Sequence, residues 1–333
     1  MKVHVSVFGK TDLGQSREHN EDTFLVADLS GRATNALAEV REHDVGPRGS
    51  LFLVADGMGG AAAGELASSM ATEVIWQHLL TTWANDAETT ADQFAQRMRE
   101  AVERANAELF QYAQEHPDVH GMGTTLTMVG VFGQDLFIAQ IGDSRAYLVR
   151  GGRTFQLTRD QSLTQRLVDA GELSEEEAER SERRNIILQA LGPDVQVRVD
   201  LSHQALRRDD LLIMCSDGLS GQVKRDEIGN LASRTSDLSD LCSQLIDLAN
   251  ARGGPDNITV VAARFGGDGL PAPGAADDVG YHGLELAEQE AVTEELPAPP
   301  PPVVPVAQRT GSPRTLVIGA AVVLVLLLLW LLL

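Results

Sequence analysis

Leu51-Phe52-Leu53-Val54-Ala55-Asp56-Gly57-Met58-Gly59-Gly60 is the stretch whose reading decides the fold. Five apolar residues end abruptly in an aspartate. Three glycines follow within four positions, and a helix-forming run, Ala61–Ala71, comes next. A short continuous apolar run bounded by turn residues reads as a strand buried on both faces. The glycines let other groups approach the backbone closely. Taken alone, Asp56 could simply shape the turn.

The same device recurs along the chain. Asp143 follows Gln140-Ile141-Gly142, and Asp217 follows Ile213-Met214-Cys215-Ser216. Asp256 and Asn257 precede the run Ile258–Val261, and Glu21 and Asp22 precede the run Thr23–Ala27. Each is ordinary turn chemistry when considered singly. As a set they place six carboxylates at the ends of apolar strands. If those ends meet at one edge, the charges cannot all remain ionised without compensation. A hard divalent cation with oxygen ligands supplies it, and magnesium or manganese fits carboxylates plus water. The eight histidines form no His-x-His or His-x-x-x-His pair, so zinc and iron are not indicated. Cations so held suit phosphate chemistry, and Arg17, four residues before Glu21, can offer a planar fork to phosphate oxygens.

Around these residues the chain of 333 runs through strands, two long helices, more strands and late helices, an α+β order whose strand-strand neighbours favour antiparallel pairing. Strands are expected at Val3–Phe8, Thr23–Ala27, Leu51–Ala55, Thr124–Val131, Leu136–Ile141, Arg145–Val149, Thr154–Leu157, Val195–Leu201, Asp210–Cys215 and Ile258–Phe265. Helices are expected at Ala63–Trp83, Ala91–Gln114, Asp226–Ala232 and Leu238–Ala251. In the second of these, Phe94, Met98, Ala101, Val102, Ala105, Leu109 and Tyr112 recur at helical spacing, a core-facing stripe. Ser30–Ser50 reads as a hydrophilic connection. Ser162–Asn185, polar and rich in Glu and Arg, reads as an exposed insert with two short helices.

The net charge of -21 argues against nucleic acid as a partner. Two unclustered cysteines, Cys215 and Cys242, give neither a disulfide framework nor a zinc site. Met1–Gln15 lacks the apolar core of a signal peptide, so a cytoplasmic body is expected. The composition changes after Phe265. Residues 266–314 are rich in Gly, Pro, Ala and acid, with eight carboxylates and no Lys or Arg between Asp268 and Glu295, and read as a disordered tether. The last segment, 315–333, contains the uncharged 18-residue run Leu316–Leu333. As a helix it would span about 27 Å, close to a bilayer core of roughly 30 Å. Arg309 and Arg314 precede it, which by the positive-inside tendency places the domain on the cytoplasmic face of the membrane.

The motifs together resemble the metal-dependent serine/threonine phosphatases of the PPM type, the PP2C family. The resemblance covers residues 1–265 and rests on Arg17-Glu18-His19-Asn20-Glu21-Asp22, Val54-Ala55-Asp56-Gly57-Met58-Gly59-Gly60, Gly121-Met122-Gly123-Thr124-Thr125, Ile141-Gly142-Asp143-Ser144-Arg145, Cys215-Ser216-Asp217-Gly218-Leu219 and Gly254-Pro255-Asp256-Asn257-Ile258-Thr259. It implies two packed antiparallel β-sheets flanked by helices, with a metal cleft at one end. It implies that Asp56 bridges two Mn²⁺ or Mg²⁺ ions, that Glu21 and the Gly57 carbonyl serve one, and that Asp217 and Asp256 serve the other. Asp143, with Asp217, would serve a third, weaker ion. Asp22 would orient water, with Asn257 beside it, and Arg17 would hold the substrate phosphate. A metal-bridging hydroxide would attack phosphoserine or phosphothreonine. The partners implied are phosphorylated proteins, bacterial Ser/Thr kinases and their substrates among them, met by a monomeric catalytic domain. Ser162–Asn185 matches the family's flap. Animal and plant members often carry a histidine, proposed as general acid, where this chain has Met58, so the leaving-group acid is left open. Two other readings are a pseudophosphatase that only binds, against which Asp56, Asp217 and Asp256 are all present, and a structural calcium domain.

Overall fold

The computed structural model describes residues 2–35, 41–181 and 183–286. Thirteen strands occur among them. Those before the long helices are β1 (His4–Asp12), β2 (Asp22–Asp28), β3 (Ala33–Asn35), β4 (Arg41–Asp44) and β5 (Ser50–Met58). Next come β6 (Gly123–Thr124), β7 (Leu126–Phe132), β8 (Asp135–Ile141), β9 (Arg145–Arg150) and β10 (Arg153–Gln156). The last are β11 (Asp200–Ala205), β12 (Leu211–Cys215) and β13 (Ile258–Gly266). One sheet runs β10-β9-β12-β13-β1-β4; the other runs β11-β8-β7-β5-β2-β3, with β6 paired to the end of β5. Every pairing is antiparallel.

The two sheets pack face to face, and β5 shows why its sequence is apolar without interruption. Successive side chains of a strand point to opposite faces. Phe52 and Val54 enter the layer between the sheets, beside Phe24, Val129, Met214 and Val261. Leu51, Leu53 and Ala55 point the other way, into a layer shared with α1 (Ala61–Thr81) and α2 (Ala91–Glu115). Of the predicted stripe on α2, Phe94, Met98, Ala101, Val102, Ala105 and Leu109 are buried in that layer, with Tyr112 packed at its margin. Thr90 caps α2 by accepting a hydrogen bond from the Gln93 N–H. The first sheet is covered by α5 (Asp217–Ser220), α6 (Arg225–Arg234) and α7 (Leu238–Ala251), through Leu219, Ile228, Leu241 and Leu245. Cys215 and Cys242 are both free and buried. The insert carries α3 (Leu163–Asp169) and α4 (Glu175–Arg180), close to the two short helices expected.

Three expectations need correction. Ser30–Ser50 is not all connection: it holds β3 and β4, whose mixed polar residues suit sheet margins and leave no period to read. The strand expected at Val195–Leu201 begins later, at Asp200. The Asn106 side-chain amide donates to the carbonyls of Asp194 and Val195, at 3.0 and 3.2 Å, and so takes up backbone groups a strand would need. The domain also does not stop at Phe265. Residues 266–286 fold back as a strap. Leu270 is buried, and Leu284 and Leu286 pack against the α1/α2 layer. The His203 N–H donates to the His282 carbonyl and the Leu284 N–H to the Leu201 carbonyl, at 3.0 and 2.8 Å, so the strap lines the edge of β11. Sparse apolar anchors in a Gly/Pro/Ala-rich background do not register as composition. Residues 287–333, including the rest of the tether and the expected anchor at 315–333, lie outside the described residues. Among the described residues no helix is long and apolar enough to cross a membrane.

Phe52→Ala should destabilise the domain by about 3–5 kcal/mol, because it empties the layer between the sheets. Leu13→Ala, at an exposed loop position, should stay within about 0.5 kcal/mol. Urea unfolding followed by circular dichroism distinguishes the two.

Candidate active site

The register of β2 against β5 sets Asp22 directly opposite Asp56. The Asp56 end of β5 is then pinned from β6 and β7. The Asp56 carbonyl accepts from the Thr124 hydroxyl at 2.9 Å and from the Thr125 N–H at 2.8 Å, while the Asp56 N–H donates to Thr125 Oγ1 at 3.2 Å. Thr125 Oγ1 also meets Ser144 Oγ at 2.9 Å, which ties this strand end to the Gly142–Asp143 turn.

The other sheet reaches the same place. Ser216, just past β12, donates its hydroxyl to Asp22 Oδ2 at 2.7 Å and accepts the Thr259 N–H at 3.0 Å. Asp217 follows as the first residue of α5. Asn257 joins three loops. Its side-chain oxygen accepts the Glu21 N–H at 2.8 Å, and its amide donates to the carbonyls of Leu13 and His19 at 2.9 and 3.0 Å. Its own N–H bonds Asp256 Oδ1 at 2.9 Å. A cluster drawn from both sheets therefore has one hydrogen-bonded frame.

The carboxylates feel one another across that frame. Burial, then the charges of Asp22, Asp217, Asp143 and Asp256, hold Asp56 well above the usual carboxylate range. Burial, with Asp217 and Asp256 nearby, pushes Asp22 up to about 7, although hydrogen bonds from Thr259 and Ser216 oppose the shift. Asp143 is pushed up to about 8 by burial, Asp217 and Asp160, against the pull of Arg145. Asp217 is pushed up to about 6 by burial and Asp256. Glu21 is raised by burial and by Asp256, with Arg17 opposing. Among the described residues, Asp22 Oδ1 and Asp143 Oδ1 are buried and find no hydrogen-bond partner. Buried acceptors without partners are rare and costly.

This donor set fits hard divalent cations. Among the described residues, no three His, Cys, Asp or Glu side chains are arranged to hold an ion by themselves. Magnesium-like ions do not require that, since they keep several waters and bind through one or two carboxylates.

All the residues expected from the sequence fall at this end of the molecule. Arg17 does so with a difference. Its Nη2 pairs with Asp256 Oδ2 at 2.7 Å, so the guanidinium expected to meet a phosphate already neutralises one carboxylate. The arginine side chain is 46% exposed and the aspartate 26%, at the rim of the cluster. Gly57 donates its N–H to the Glu21 carbonyl at 3.1 Å. A Cβ there would lie 2.2 Å from the Gly64 carbonyl oxygen, so no other residue fits. Met58 stands exposed beside it and has no proton to give.

Sequence reasoning missed Gly64. A Cβ at this position would fall 1.8 Å from Glu21 Oε2, so the carboxylate lies directly on the first turns of α1. The signal was a glycine inside an otherwise helix-forming run. It missed Ser216 and Thr259 as the clamp on Asp22, because both reach it from the far end of the chain, Ser216 from 194 residues away. It also missed Asp160, which takes Arg145 in a fork, with Nη2 2.7 Å from Oδ2 and Nε 3.0 Å from both oxygens.

Comparison with known proteins agrees with this geometry. Residues 39–258 match the family model described as protein phosphatase 2C. The serine/threonine phosphatase Stp of Listeria welshimeri is 35% identical over 252 residues, covering 76% of this chain and 92% of that protein. The crystal structure of the Mycobacterium tuberculosis serine/threonine phosphatase PstP/Ppp superposes with a TM-score of 0.66 at 33% identity, over 79% of this chain and all of that one. The catalytic domain of PstP in complex with two manganese ions gives 0.64 at 32% identity, over 80% of this chain and all of that one. The chain belongs to the protein phosphatase 2C family. It is a serine/threonine protein phosphatase with that family's pair of face-packed antiparallel sheets.

The raised carboxyl groups give a pH signature to the protein stripped of metal. Folded Asp22, Asp143 and Asp217 hold protons that the unfolded chain releases near pH 4. Their contribution is complete below about pH 4 and is lost as pH rises through about 6 to 8. With chelator, Tm should therefore fall across that window, and added Mn²⁺ should flatten the fall. Differential scanning calorimetry at stepped pH measures both.

Proposed function

We propose that this chain hydrolyses phosphoserine and phosphothreonine on proteins at the carboxylate cluster, using Mn²⁺ or Mg²⁺. The observation that carries the reading is the set of mutually repelling carboxylates, brought from both sheets to one end and left with unpartnered buried oxygens. PstP, with the same fold, holds two manganese ions. Asp56 would stand between two ions, with Glu21 and the Gly57 carbonyl toward one and Asp217 and Asp256 toward the other. Asp143, beside Asp217, would take a third and weaker ion. When bound, the ions supply an activated water and neutralise charge on the phosphoryl group.

The chain's own residues do the rest. Asp22, clamped by Ser216 and facing Asp56, accepts hydrogen bonds from water at its free oxygen. Asn257 fixes Glu21 and Asp256 relative to one another. Arg17 keeps guanidinium nitrogens beyond the one bound to Asp256, and offers them to phosphate oxygens at the rim. With methionine at position 58, the proton for the leaving serine or threonine comes from water rather than from that side chain.

The substrates in this reading are phosphorylated proteins, Ser/Thr kinases and their targets among them, and the catalytic domain works as a monomer on the cytoplasmic face of the membrane. The run Leu316–Leu333 is the anchor. Its support is the sequence: 18 uncharged residues behind Arg309 and Arg314.

Purified protein should release phosphate from a phosphothreonine peptide with Mn²⁺, lose the activity to chelator, and lose at least about 100-fold with Asp56→Asn. Release that ignores both metal and the substitution would sink the assignment. Deleting Leu316–Leu333 should move the protein from the membrane pellet to the supernatant in cell fractionation, and unchanged partition would remove the anchor.

A further inference from the structure

A second concavity adjoins the carboxylate cluster and has no part in the chemistry just described. It encloses about 590 Å³, within the roughly 300–1,000 Å³ typical of ligand pockets. Its walls are the segment 159–162, α3 at Arg166 and Asp169, Leu188 and Gln189 just past the insert, Arg198 and Asp200 at and before the start of β11, and Tyr281 from the strap. The insert, through α3, and the strap, through Tyr281, both contribute to its wall.

The cavity is wired to the carboxylate cluster through Gln161. The Gly142 N–H donates to Gln161 Oε1 at 3.0 Å, and the Gln161 N–H donates to the Gly142 carbonyl at 2.8 Å. Gly142 is the neighbour of Asp143. The same side chain donates through Nε2 to the Arg198 carbonyl at 3.2 Å. One residue thus spans from the Asp143 turn to the far wall. Anything seated against Gln161 is linked to a carboxylate of the cluster, Asp143, through two residues, Gln161 and Gly142.

The charges of the wall decide what could sit there. Three aspartates line it, and each is engaged. Asp160 is held in the Arg145 fork, Asp169 pairs with Arg159 at 2.5 Å, and Asp200 accepts the Tyr281 hydroxyl at 2.8 Å. Among the described residues, neither the Arg166 nor the Arg198 guanidinium has a hydrogen-bonded carboxylate partner. Both are exposed. With Asp160 neutralised by Arg145, the remaining lining cations Arg159, Arg166 and Arg198 outnumber the remaining lining acids Asp169 and Asp200 by one, which leaves a positive charge in the cavity for an anion. Leu188, an exposed apolar residue, gives part of the wall a surface for a side-chain stem.

We propose that this cavity is a recognition subsite for a second anionic side chain on the substrate, a phosphorylated residue or a glutamate or aspartate, gripped by Arg166 and Arg198. The inference rests on the phosphatase reading and adds a preference to it. A substrate bound with its scissile phosphate at the carboxylate cluster would run past Gln161 and place a neighbouring anionic residue between the two arginines. Tyr281 holds one oxygen of Asp200, whose charge Arg198 and Arg159 both offset, so Arg166 is the less encumbered of the two grips. The preferred proteins would then be those phosphorylated at clustered sites or within acidic sequence.

The test uses the full chain with Mn²⁺ and a panel of phosphothreonine peptides. One glutamate, or one further phosphothreonine, is stepped along either side of the scissile residue. At one register kcat/KM should rise roughly tenfold, carried by KM, as expected for one added charge-assisted pair. Arg166→Gln combined with Arg198→Gln should level the panel and leave hydrolysis of p-nitrophenyl phosphate unchanged. A flat panel with the native protein overturns the proposal, as does a preference that survives both substitutions. A double variant that also loses p-nitrophenyl phosphate activity overturns it too, since the arginines would then serve the fold or the chemistry instead. Binding of the same peptides to the Asp56→Asn protein, read by fluorescence anisotropy, separates the two readings. Selective binding without turnover by the native protein would keep the subsite and sink the phosphatase assignment; turnover with unselective binding would do the reverse.

Discussion

Two aspartates stand directly opposite one another on adjacent strands, and like charges in that relation oppose pairing. Asp22 and Asp56 are held there because the strands behind them are buried on both sides. Phe24 and Val26 of β2 and Phe52 and Val54 of β5 fill the layer between the sheets, while Leu25, Leu51 and Leu53 fill the layer under α1 and α2. A shift of one residue would exchange every side chain between the two layers. The packing therefore fixes the register, and the register fixes the repulsion. The repulsion is what a bound cation relieves.

The local devices around the cluster all serve to keep that opposition in place. Ser216 gives Asp22 a donor, Thr124 and Thr125 hold the backbone of Asp56, and Asn257 couples the entry of β2 to the entry of β13. Arg17 supplies the positive charge at the rim, on Asp256, while Arg145 is committed to Asp160. Among the described residues the deepest acids thus have hydroxyl and amide neighbours and no arginine bonded to them. This is the arrangement expected where the missing positive charge is to come from an ion.

Much of this was legible in the chain. The buried strand ending at Asp56, the long helix with its Phe94–Leu109 stripe, the two small helices of the insert and the carboxylates at strand ends all follow from periodicity and turn chemistry. Other parts were not. Gly64 and Ser216 matter because of what approaches them from distant segments, and such approaches have no local period. The beginning of β11 was misplaced because Asn106, far away in sequence, takes up the backbone at Asp194 and Val195. The strap was hidden for a different reason. Scattered apolar anchors, Leu270, Leu284 and Leu286, and backbone bonds to Lys2, Leu201 and His203 hold twenty residues whose average composition resembles a free linker.

That strap carries a consequence for the integrity of the sheet. By bonding to Leu201 and His203 it gives β11 a neighbour on its outer side, so the chain completes its own margin and does not offer it to another molecule. Asp277 also approaches Arg207 and Arg150, at 2.9 and 3.5 Å, and Arg150 is buried in a fork with Asp210. A catalytic fragment cut at Phe265, where composition changes, would bare a strand edge and take one acid from a buried ionic network. The compact unit takes in every described residue through Leu286, twenty-one beyond the boundary drawn by composition.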